Sequence, residues 1–182
     1  VNEELEFLKL VAGRLTTAGI PYMLTGSMAM AFYAVPRMTR DVDLVVSCRA
    51  EDVATLLAIF GKDCYLSEEA VTEAVANHGM FNIIHIEWAM KADFVIRQDH
   101  EYRQLEFSRR RVLRLDGCEL SVVAPEDLIL SKLAWAKDSG SESQHRDVRQ
   151  LLAAVPDLDF AYLEQWADVL GVRPRLNELK PR

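Results

Sequence analysis

The segment Asp41-Val42-Asp43-Leu44-Val45-Val46 constrains this chain more than any other. Its β-branched and apolar residues predict a strand, in which side chains two apart share a face. Asp41 and Asp43 therefore stand together, while Val42, Leu44 and Val46 turn the other way into a core. Two carboxylates aimed at one spot raise each other's pKa and cost free energy unless a metal or an arginine compensates them. Carboxylates with water and phosphates suit Mg2+, which rarely takes an all-protein cage. The blander alternative is that one Asp pairs with Arg37 or Arg40 while the other caps the strand.

The remaining sequence alternates helical and strand periods. Apolar residues at helical spacing predict a helix over 3–18, then a strand over 22–25 that turns tightly at Gly26-Ser27 into a short helix bounded by Pro36. A helix is expected over VATLLAIF, a helical or loop-like stretch over 67–77, and two neighbouring strands in MFNIIHIE and KADFVI around a turn at Trp88 and Ala89. Asp116-Gly117 between alternating arms predicts a hairpin within 110–123. Pro125 then opens the first of three helices, 125–137, 143–154 and 159–170. These elements describe an α+β chain: a mixed, twisted sheet flanked by helices. Residues 1–123 are expected to form its core, with 124–182 a C-terminal helical segment packing on it and closing one side of a cleft.

A length of 182 residues, half of them apolar, allows a buried core without staples. Cys48, Cys64 and Cys118 show no C-x-x-C pairing and read as buried thiols of a reducing compartment. No window approaches the roughly 18 apolar residues of a membrane span, and residues 1–10 are acidic and amphipathic, so cytoplasmic residence without a membrane partner is expected. A net charge of −7 argues against whole-surface attraction to nucleic acid. The one basic cluster, Arg109, Arg110, Arg111 and Arg114, reads as a solvated strand or turn. His78, His85, His100 and His145 lack metal-ligand spacing, and His85 reads as structural. Trp88, Trp135 and Trp166 are expected in or near the core. Dinucleotide, P-loop, zincin and hydrolase-elbow motifs are all missing.

Two further places could carry chemistry. Gly26-Ser27 sits at a strand-to-helix turn, where backbone N–H groups can hold a phosphate, although a Ser there can simply cap the helix. Asp93, in the apolar strand KADFVI, needs a partner. If that strand lies beside 41–46, three carboxylates converge, enough for two metal ions about 4 Å apart with one group left to accept a proton. Otherwise Lys91, on the same face, pairs with it.

T-G-S-M-A-M at 25–30, with thirteen residues between Ser27 and Asp41 and then D-V-D-L, resembles the Gly-Ser…Asp-x-Asp signature of the DNA polymerase β-like nucleotidyltransferase superfamily. The R-x-T-R-D-V-D-L context is similar to its small bacterial members, including AbiEii-like toxin enzymes. APEDLILSKLAWAKDSGSESQHRDVRQLL resembles the group's later helical segment. The resemblance implies a polymerase β-like fold and a Mg2+-dependent enzyme, with Mn2+ as an alternative ion. It would move a nucleoside monophosphate from an NTP to an acceptor hydroxyl or phosphate. It implies Gly26, Ser27 and Lys132 at the nucleotide, and Asp41, Asp43 and Asp93 as catalytic metal ligands. Lys132 could equally snorkel to the surface, and Arg146 with Asp147 could be an exposed helix pair. A tRNA end, a protein or a small molecule stays open as acceptor. A non-catalytic nucleotide- or partner-binding relative, perhaps half of a toxin–antitoxin pair, is the alternative.

Overall fold

The computed structural model describes residues 3–35 and 41–180. Pro36, Arg37 and Arg40, weighed above as a helix boundary and as carboxylate partners, lie outside the described residues. The chain runs α1 (Glu3–Thr17), β1 (Tyr22–Thr25), α2 (Gly26–Met30), β2 (Asp41–Val46), α3 (Val53–Phe60), β3 (Cys64–Tyr65), α4 (Glu68–Asn77), β4 (Met80–His85) and β5 (Met90–Ile96). It continues through α5 (Glu101–Ser108), β6 (Arg111–Leu115), β7 (Cys118–Val122), α6 (Pro125–Ser139), α7 (Glu142–Ala154), α8 (Phe160–Val169) and α9 (Arg173–Leu179).

Seven strands among the described residues form one mixed sheet in the order β3-β4-β5-β2-β1-β7-β6. Strand β2 runs antiparallel to β1 and parallel to β5, and β1 runs parallel to β7. The β4–β5 and β6–β7 pairs are hairpins, as their turn residues predict. In the second, Asp116 and Gly117 both take positive φ, the geometry a tight two-residue turn requires.

One face of the sheet carries the core. Val42, Leu44 and Val46 of β2 and Ala92, Phe94 and Ile96 of β5 are buried there. Phe94 stacks on Phe81 of β4 at 4.8 Å and meets Phe60 of α3 edge-on at 5.6 Å. Helix α1 docks Phe7 against His85 and Trp88, and His85 accepts a hydrogen bond from the Trp88 N–H. His85 is thus structural, as expected.

Three elements escaped the sequence reading. Helix α5 buries only Tyr102, Glu106 and Phe107, too few apolar residues to show a period. Strand β3 is two residues long, and α9 buries just Leu176 and Leu179. Two expectations about side chains are corrected. Trp135 is 61% exposed instead of packing in the core, because it lies on the outer side of α6. The arginine cluster divides: Arg111 and Arg114 are exposed on β6, the solvated strand expected, whereas Arg109 lies 3.8 Å over Tyr162 and pairs with Asp127 and Glu126, and Arg110 packs over Phe107. Cys64 is buried and Cys48 and Cys118 are partly so, all three as free thiols. Among the described residues no helix is long and apolar enough to cross a membrane.

Candidate active site

The register of three strands assembles the acidic residues. Asp43 lies opposite Asp93 on β5 and opposite Thr25 on β1, and Asp93 lies opposite Asn82 on β4. Directly opposed residues share a face, so Asn82, Asp93, Asp43 and Thr25 form one row across the sheet. The next row is Ile84, Lys91 and Asp41. All lie on the face away from the aromatic core.

A third row shows how that face is covered. Met80 is 57% exposed, its neighbours Val95 and Val45 are half-buried, and Met23 on β1 is fully buried. The face is therefore open over β4 and closes toward β1, and the carboxylates sit at the step between the two.

Gly26 follows Thr25 directly and starts α2 with φ +67°. A Cβ at this position would fall 2.0 Å from Asp43 Oδ2. Only glycine permits this close approach of backbone to carboxylate. Ser27 is buried beside it.

The electrostatics single out Asp43. Burial first, then the charges of Asp93 and Asp41, push its carboxyl up to about 6, against the weaker pull of Lys91 and Lys132. No side-chain hydrogen bond or ion pair reaches it among the described residues. Lys91 serves its neighbours instead, with Nζ 2.8 Å from Asp93 Oδ2 and 3.9 Å from Asp41 Oδ1. Its bond to Asp93 raises the Lys91 pKa.

Lys132, on α6, is 3% exposed, so it is no snorkelling surface residue. Its Nζ donates to Asp147 Oδ2 at 2.7 Å and to Gln144 Oε1 at 3.1 Å, both on α7. Asp147 is likewise buried, which corrects its reading as part of an exposed helix pair; Arg146 alone is exposed. The signal for Asp147 was available: it falls on the stripe of α7 that buries His145, Val148, Leu151 and Leu152.

Among the described residues no three His, Cys, Asp or Glu side chains gather closely enough to hold a metal ion by themselves. Asp41, Asp43 and Asp93 nevertheless fit an ion that completes its shell from water and phosphates. The fit rests on Asp43, a largely buried carboxylate that makes no ion pair among the described residues.

The mixed sheet with its flanking helices has the α+β nucleotidyltransferase fold, as superposition on solved structures shows. An antigenic nucleotidyltransferase-like protein from Paracoccidioides brasiliensis superposes with a TM-score of 0.58 at 18% identity, over 98% of this chain and 92% of that one. The resistance factor ANT(2")-Ia, in complex with adenylyl-2"-tobramycin, gives 0.59 at 16% identity over 98% of both chains. The lincosamide antibiotic adenylyltransferase LnuA, bound to lincomycin, gives 0.57 at 12% identity over 85% of this chain and 98% of that one. No protein-family model matches the sequence. No curated protein sequence matches it either.

Proposed function

We propose that this chain is a nucleotidyltransferase that moves a nucleoside monophosphate from an NTP to an acceptor hydroxyl or phosphate. One observation carries the proposal: Gly26 is pressed against Asp43 in the same row as Asp93, so a Gly-Ser turn and an acidic pair share one spot. Asp41 and Asp43, with Asp93 as third ligand, would hold magnesium or manganese. When bound, the ion would neutralise the triphosphate and the charge that develops on it.

The chain's own groups supply the rest. Gly26 and Ser27 meet the phosphates where the backbone leaves β1. Lys132, pinned by Asp147, brings fixed positive charge to the closed side of the cleft. Asp93 borders the open side next to Asn82 and orients the acceptor hydroxyl. The acceptor oxygen bonds to the α-phosphorus, a hydroxyl's proton passing to a site carboxylate or to water, the bond to the bridging oxygen breaks, and pyrophosphate leaves carrying the electron pair. In this reading residues 1–123 form the catalytic core and 124–182 the helical wall, and the enzyme works in the cytoplasm.

A small hydroxylated molecule stands first among the acceptors to test, because two fold neighbours were solved with adenylyl-2"-tobramycin and lincomycin bound. A tRNA end and a protein hydroxyl follow. The AbiEii-like subtype and a cognate antitoxin rest on the sequence resemblance alone. The non-catalytic alternative draws on the Lys91–Asp93 pair, which occupies one of the three carboxylates.

The test is transfer of label from each α-labelled NTP with Mg2+ or Mn2+ to small-molecule, RNA and lysate acceptors. Label that appears on one acceptor and is lost by a factor of about 1000 or more in Asp43→Asn is the expected outcome. Full activity in Asp43→Asn defeats the mechanism, and absence of transfer with every acceptor favours the non-catalytic alternative.

A further inference from the structure

We propose that Lys91 is an internal cation that takes the place of one of two divalent ions, so that the resting chain accepts one divalent ion and a second enters only when the ammonium is displaced. The proposal rests on the nucleotidyltransferase reading and adds to it how the site is loaded.

The geometry follows from strand pairing. Parallel register sets Lys91 opposite Asp41, and the two-residue period of β5 puts it on the same face as Asp93. Its Nζ lies 2.8 Å from Asp93 and 3.9 Å from Asp41, bridging the two outer carboxylates, while Asp43 makes no ion pair among the described residues. A magnesium ion needs oxygens at about 2.0–2.1 Å. An ion seated on Asp93 would therefore lie within a few ångströms of the ammonium, and like charges this close repel strongly at a partly buried site. An ion held chiefly by Asp43 would meet less of that repulsion, since Lys91 and Lys132 act on this carboxyl only as weaker, unbonded charges among the described residues.

The two lysines at the site differ in freedom. Lys132 is 3% exposed and bound to Asp147 and Gln144. The Lys91 side chain is 39% exposed on the open half of the face, and its only ion-pair partners among the described residues are the two carboxylates. Its flexible four-carbon stem can swing the ammonium into water without breaking core packing. Lys91 is thus suited to leave, and Lys132 to stay.

The experiment is a Mn2+ titration of the full chain at pH 7.5, with free Mn2+ read by electron paramagnetic resonance. Wild type is compared with Lys91→Met, Lys91→Gln and Lys91→Arg, each checked by thermal melting in chelator. Wild type should bind one Mn2+ per chain. Lys91→Met and Lys91→Gln should bind two, the second about tenfold tighter or more than in wild type, since a neighbouring charge shifts cation occupancy by roughly that factor. Lys91→Arg should behave as wild type. Added Mn2+ should also raise the melting temperature of Lys91→Met more than that of wild type. Titrations of wild type and Lys91→Met that superimpose in number and affinity overturn the inference and leave the transferase reading standing. If neither protein binds Mn2+, with or without an α,β-methylene NTP, the transferase reading falls too.

Discussion

Gly26 is where the main chain and the acidic site touch. It holds φ +67°, and a methyl there would overlap Asp43 Oδ2 at 2.0 Å. Gly26→Ala therefore strains the backbone and displaces the carboxylate together. The backbone part alone costs roughly 1–3 kcal/mol. The variant should unfold at lower denaturant than wild type and lose any stabilisation by Mn2+ and NTP that the proposed transferase function entails. Wild-type melting behaviour with an intact ligand response would contradict the placement of Gly26 against Asp43. The sequence marked Gly26, Asp41, Asp43 and Asp93, because strand periodicity and a known motif spacing are local. It also offered Lys91 as the partner of Asp93, as the structure has it, but it could not give Lys132 its partner, since that depends on which helix lies opposite.

Between elements, the fully buried Asp127 joins four segments. It sits in the first turn of α6 and accepts hydrogen bonds from Tyr102 of α5 at 3.3 Å, Arg109 after α5 at 3.0 Å and Tyr162 of α8 at 2.5 Å. Burial raises its pKa while those donors lower it, and Tyr162 is raised by burial and by its bond to the carboxylate. Asp127→Ala should cost roughly 3 kcal/mol by urea unfolding, because it strands a partly buried guanidinium and two hydroxyls. A loss below about 1 kcal/mol would mean that water replaces the carboxylate there. This hub explains why Arg109 departs from the solvated strand that Arg111 and Arg114 form. From sequence, adjacent arginines look like a surface strip; only the packing of α8 beside α6 supplies Tyr162 and Asp127.

At the scale of the molecule, two carboxyls shift in opposite directions and shape stability against pH. Asp43 is raised to about 6, above an unfolded value of about 3.9. The folded chain then holds the extra proton between about pH 4 and 6, so this contribution to stability is present below that window and is lost as pH rises through it. Asp63 is held at about 2 by its two 2.6 Å hydrogen bonds from Arg14, so its contribution is present above about pH 4 and lost as pH falls toward 2. In chelator, wild type should therefore gain roughly 2 kcal/mol relative to Asp43→Asn when pH is lowered from 7 to 4. Urea midpoints that change in parallel for the two proteins across that range would show Asp43 to be solvated.

The sequence alone determined the helix and strand order through α3, both hairpins and the core side of β2, and it marked the three carboxylates as candidates. Each of these rests on periodicity, turn chemistry or motif spacing within a few residues. The tertiary structure alone decided that β2 lies between β1 and β5, that the carboxylate face is open over β4 and closed toward β1, and that Lys132 meets Asp147. It also decided the existence of α5, β3 and α9, which bury too few apolar residues to leave a period. The physical reason is common to all of these: strand neighbours and buried ion pairs join residues far apart in the chain, and a local pattern specifies which face a side chain takes without specifying what stands opposite it.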